Sequence, residues 1–211
     1  MTSLWMPGVT KLYRELQERY FPTAGKDRAT ILSERDAVDI LRDSPFMGFS
    51  INIGPHAVAT LHRDSSNMLN GPCAIGVFGT FDGKRSGHVI LHEAKTIIEV
   101  IPGDVIIILS STITHENVPL CDEDKNKKRH SFVHYTAGGL FQWMWDGEKL
   151  HKDVKEKAIP GEGKKRFTEM YGLLPTINDL RNACSTGFLP DYNVLARIQN
   201  GQSFLLRPSN V

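Results

Sequence analysis

Between residues 47 and 140 the chain keeps repeating one pattern. Short β-branched or aromatic runs are cut off by Gly, Pro, Asp or Asn. The runs are "FSINI", "AVATLH", "CAIGVFGTF", "HVILH", "TIIEVI", "VIIILSS" and "HSFVHYTA". Each is too short for a helix and rich in residues that suit a pleated, half-buried surface. "IPGD" at 101–104 reads as a turn joining two of them. Many short strands at close spacing predict a sandwich or jelly roll.

Helical periodicity returns on both sides of this zone. "TKLYRELQERYF" repeats Leu12, Leu16 and Tyr20 at four-residue spacing, which predicts one helix face. "SERDAVDILRD" opens on Ser33 as an N-cap, with Asp36 three residues later. "EKLHKDVKEKA" runs up to Pro160, and "KKRFTEMYGLL" up to Pro175. The expectation is an α+β chain, mainly β. A double-stranded β-helix, or jelly roll, over about 47–147 is flanked by helical segments at 8–45 and 148–183. No linker divides the 211 residues, so 1–211 reads as a single domain.

The longest apolar run, "VIIIL" at 105–109, is far too short to cross a bilayer and reads as a buried strand. No secretory signal pattern opens the sequence. Cys73, Cys121 and Cys184 are odd in number and widely spaced, giving neither a zinc pattern nor a disulfide framework. These features predict a nuclear or otherwise intracellular protein that is not secreted and has no membrane partner; a monomer is expected. The net charge is only +1. Basic clusters at Lys125, Lys127, Lys128 and Arg129, and at Lys164, Lys165 and Arg166, leave a nucleic-acid partner open without requiring one.

His62 and Asp64 lie two apart at the end of "AVATLH", so on a strand both point to one face. An imidazole and a carboxylate need a second His to complete a facial triad that leaves metal positions open. His115, just past the buried run "VIIILSS", is the candidate. Mixed nitrogen and oxygen ligands with open positions suit Fe(II) and O2. Arg129 opens "RHSFVHY". An Arg there offers a rigid bidentate fork for the far carboxylate of a 2-oxoglutarate cosubstrate. The order His-X-Asp, His, Arg within a strand-rich core predicts an oxygenase.

The same residues carry a family resemblance. "HRDSSNMLNG" resembles the HRD-x-x-N-M-x-N-G segment of the TET/JBP family of iron- and 2-oxoglutarate-dependent nucleic-acid base oxygenases. "GHVILHE" is similar to a segment whose His-Val touches the cosubstrate. "THENVPL" and "KKRHSFVHY" resemble the His-x-x-x-Pro and Arg-x-Ser segments, and "HYTAGGLFQW" is like a stretch of the fungal TET-like branch. The resemblance covers roughly 47–147. It implies that His62, Asp64 and His115 bind Fe(II), and that Arg129 and Ser131 hold the distal carboxylate of 2-oxoglutarate. It also implies His88 as a second cosubstrate contact, Asn67 as a hydrogen-bonding partner of a flipped base, and Tyr135 as the aromatic lining the base pocket.

Two departures stand out. Ala137 occupies the position where animal members acting on methylcytosine carry a His, and the Cys-rich zinc-binding portion of those enzymes has no counterpart. The implied function is oxidation of methylated bases in DNA, 5-methylcytosine to 5-hydroxymethylcytosine and further products, with the nucleotide flipped out of the duplex. N6-methyladenine demethylation by the same chemistry is the alternative, since hydroxylation at an N-methyl gives an unstable hemiaminal. A small-molecule or protein side-chain oxygenase, and a jelly-roll binding module without catalysis, are the further readings.

Overall fold

The computed structural model describes residues 6–20, 44–154 and 161–185. The strand zone forms β1 (Gly48–Asn52), β2 (Cys73–Gly79), β3 (Val89–Leu91), β4 (Thr96–Ile98), β5 (Val105–Ile108), β6 (His115–Asn117) and β7 (Arg129–Tyr135). They pair antiparallel into two sheets, ordered β1-β7-β2-β5 and β4-β3-β6. The chain is therefore mixed, mostly β, with antiparallel sheets. The 101–104 turn closes as expected: the Asp104 amide donates to the Ile101 carbonyl, and Gly103 supplies a φ of +103°.

Strand β7 runs through the middle of the larger sheet. It pairs with β1 from Gly48↔Tyr135 to Asn52↔Ser131, and with β2 from Ala74↔His134 to Gly79↔Arg129. A core of Cys73, Val77, Phe81, Val89, Leu91, Val100 and Ile108 joins the two sheets.

Two strand expectations are corrected. "HEN" at 115–117 carries no β-branched residue and is not among the predicted strand runs, yet it forms β6 in the smaller sheet. "AVATLH" at 57–62 reads as a strand but forms no regular one. It lies along β6 through His62 N to His115 O (3.0 Å), His115 N to His62 O (2.9 Å) and Asn117 N to Ala59 O (3.0 Å). The Asn117 side chain takes up the Ala59 amide at 2.6 Å and donates to the Ala57 carbonyl at 3.4 Å. A side chain thus replaces part of the backbone ladder there.

Helix α1 (Pro7–Tyr20) buries Val9, Thr10, Tyr13 and Leu16. Its buried stripe is shifted from the predicted Leu12–Leu16–Tyr20 row, because Tyr13 reaches Phe46 and Phe141 (ring centroids 5.7 and 5.8 Å). Met68 and Met170 complete this second core.

After β7 the chain turns into α2 (Gly138–Trp145), which was not foreseen. Gly138 and Gly139 open it, and glycine is a poor helix former. Helices α3 (His151–Val154), α4 (Glu162–Tyr171) and α5 (Ile177–Ser185) follow. The helix predicted over 33–43 and the end of the one predicted over 148–158 lie outside the described residues. Among those residues, no helix is long and apolar enough to cross a membrane.

Candidate metal centre and its cavity

The pairing of 57–62 with β6 sets His62 directly opposite His115. Their ring centroids are 4.4 Å apart. Asp64 follows two residues on and is held by its amide, which donates to the Ser110 carbonyl at 3.0 Å. One ligand atom from each of His62, Asp64 and His115 falls within 4.8 Å of the others, and His62 Nε2 lies 3.5 Å from Asp64 Oδ1. His115 is buried, whereas His62 and Asp64 are partly open to the cavity.

The donor set fits a metal ion. His62 Nδ1 is 2.6 Å from the Thr60 carbonyl, and His115 Nδ1 is 2.9 Å from the Ile113 carbonyl. A carbonyl only accepts, so each Nδ1 is the donor, and it is Nε2 that the neutral ring would offer to a metal. A second ring nitrogen fixed by a carbonyl is the usual support of a ligating imidazole.

The triad opens into a cavity of about 650 Å³. Arg129, Ser131, Val133 and Tyr135 line it from β7, and Ser50 and Asn52 from β1. The period-two alternation of a strand puts all of them on one sheet face. Arg129 is 3% exposed. Its Nε donates to the Gly87 carbonyl and its Nη1 to the Ala57 carbonyl, both at 3.2 Å. Its guanidinium stands over the Phe81 ring, 5.8 Å from the centroid.

Among the described residues, no carboxylate pairs with Arg129. Burial alone lowers its pKa from the usual value, and a guanidinium remains charged at neutral pH. A buried cation without a counterion is costly, so this end of the cavity is a candidate anion site. Ser131 sits beside it, buried, with its hydroxyl accepting from Asn52 Nδ2 at 3.0 Å.

Of the other sequence candidates, Asn67 and Tyr135 line the cavity, and the backbone of Asn67 bridges to Ala137. His88 does not line it. Its carbonyl accepts from the Val118 amide at 2.8 Å, and the neighbouring Val89 lines the cavity instead. Asn52, Asn117 and Ser110 were missed. Ser50 and Asn52 had a readable signal, since polar residues alternate with apolar ones in "FSINI". The polar residues of this alternation line the cavity, Phe49 and Ile51 stand on the opposite face of the strand, and all four are exposed.

No family model matches the sequence, and no curated protein matches it. Among solved structures, the chain is similar to one described as NgTET1 in complex with 5mC DNA, with a TM-score of 0.38 and 16% sequence identity. That match covers 61% of this chain and 48% of the other, so it spans about half of that protein's length.

Proposed function

We propose that this chain is an Fe(II)- and 2-oxoglutarate-dependent dioxygenase that oxidises methylated bases in DNA, with 5-methylcytosine as substrate. The observation that carries the reading is the shared cavity, which has a His-Asp-His ligand set and a buried arginine that no carboxylate pairs with among the described residues. A dicarboxylate that reaches a metal with one end needs a fixed cation for the other. The sheet orders support a double-stranded β-helix, because 57–62 adds an eighth extended segment beside β6.

His62 Nε2, Asp64 and His115 Nε2 would hold the iron. With 2-oxoglutarate and O2, iron supplies the oxidising power that replaces a methyl C–H by C–OH, while the cosubstrate becomes succinate and CO2. Arg129 would grip the far carboxylate of 2-oxoglutarate, and Ser131 would donate to it. His88, next to Val89, is proposed as a further cosubstrate contact. The base would leave the helix and enter the cavity beside Asn67 and Tyr135, because a methyl group in stacked DNA cannot reach a recessed metal. N6-methyladenine remains the second reading. Ala137, bridged to Asn67, stands where methylcytosine-oxidising members of the resembled family carry a His, which is what keeps this reading open.

The test incubates protein, Fe(II), 2-oxoglutarate and O2 with duplexes carrying either methylated base, followed by mass spectrometry of the nucleosides. Oxidised 5-methylcytosine supports the first reading, and loss of N6-methyladenine the second. No change in either base overturns both. His115→Ala should abolish turnover and metal retention.

A further inference from the structure

Asn67 is tied to the candidate ligand set before any substrate arrives. Asp64 and Asn67 close a turn in which the Asn67 amide donates to the Asp64 carbonyl at 2.9 Å. The Asn67 side chain then folds back: Nδ2 is 3.3 Å from Asp64 Oδ2 and 3.2 Å from Ser110 Oγ. The identity of the nitrogen follows from chemistry, since an ionised carboxylate only accepts. The side-chain amide nitrogen therefore spans Asp64 and Ser110.

We propose that Asn67 is a positioning residue for the metal-binding carboxylate: it holds Asp64 Oδ2 so that Oδ1 faces His62 and His115. This rests on the metal-centre reading above and gives Asn67 a task independent of the base. The two carboxylate oxygens have different surroundings, with Oδ1 3.5 Å from His62 Nε2 and Oδ2 on the Asn67 amide. A carboxylate divided in this way offers a single oxygen to an ion.

The holding chain continues into the core. Ser110 is fully buried, and its hydroxyl takes the Asn67 amide. Burial pushes the nearby Cys73 thiol up to about 12, a shift that the Ser110 side chain opposes. The backbone of the turn is pinned from the other side, where the Gly138 amide donates to the Ser66 carbonyl at 2.9 Å and the Met68 amide to the Thr136 carbonyl at 3.0 Å. Asn67 is thus anchored before it acts on Asp64.

The test measures Co(II) binding to the full chain by its visible absorption, with neither DNA nor 2-oxoglutarate present. Removing a group that orients a ligand costs about 10- to 100-fold in metal affinity. Asn67→Ala should weaken Co(II) binding by about tenfold or more and shift the absorption bands. Ser110→Ala, which leaves every cavity-lining side chain in place, should produce a smaller loss of the same kind. Ser111→Ala is the control. Ser111 Oγ donates to the Met68 and Leu69 carbonyls and ties down the same loop without touching the carboxylate, so Co(II) affinity should be unchanged.

Unchanged Co(II) affinity in folded Asn67→Ala and Ser110→Ala overturns the proposal and leaves Asn67 a base contact alone. Equal losses in Ser111→Ala also overturn it, since loop tethering would then suffice. A wild-type chain that binds no Co(II) fails at the earlier step, the metal centre itself.

Discussion

The two faces of β7 make different use of one strand. Arg129, Ser131, Val133 and Tyr135 line the cavity. The residues between them, His130, Phe132 and His134, point the other way and interleave with rings from neighbouring strands. Phe78 lies 5.2 Å from His130 and 6.2 Å from Phe132, Phe132 lies 5.3 Å from His134, and Phe49 lies 6.4 Å from His134 (ring centroids). Phe132 covers Gly76 on β2, where a Cβ would run into its ring. The inner face carries a buried charge, and the outer face is packed with rings. A one-residue slip would exchange the two sets.

If that division holds, inner substitutions change ligand binding and outer ones change stability. The largest effect is expected for Arg129→Met. It removes the cation but keeps an apolar stem, and 2-oxoglutarate should bind about 100-fold more weakly or worse by calorimetry. Phe132→Ala should lower unfolding free energy by about 2 kcal/mol in denaturant titration, less than for a fully buried ring. Cosubstrate affinity should stay the same; a parallel loss of affinity would break the comparison.

The smallest effect concerns His134. Its Nδ1 is 3.1 Å from Ser44 Oγ, and its Nε2 is buried with no hydrogen-bond partner among the described residues. Burial holds its pKa below the ordinary 6.5. The unfolded chain therefore takes up the proton first, and stability falls as pH drops below about 6.5 until the folded-state pKa is reached. His134→Phe should flatten that part of the stability–pH curve, measured by urea midpoints across the range.

Much of the site was legible because charged and chelating residues sit at strand positions whose direction follows from period two. Arg129 and Ser131 share a face for that reason. His62 and Asp64 lie side by side, as their spacing predicts, even though their segment forms no regular strand, since a two-residue spacing survives in a bridged extended segment. His115 was located, but its strand was not: three polar residues carry no β signal, and only the partner strand reveals them. Helix α2 was hidden by its opening glycines. The bond from Asn67 to Ser110 joins residues 43 apart in sequence, and no local pattern encodes it.

The bridge between His62 and His115 has a consequence for local opening. Each backbone amide of the pair donates to the other's carbonyl, so the segment 57–62 cannot lift from β6 without separating two candidate ligands. An ion shared by the rings binds only the closed form and raises the free energy of opening by mass action. The amide protons of His62 and His115 therefore become reporters of occupancy. Their exchange with solvent deuterium should slow as metal is added, while amides in the middle of the larger sheet, governed by global unfolding, serve as the internal reference.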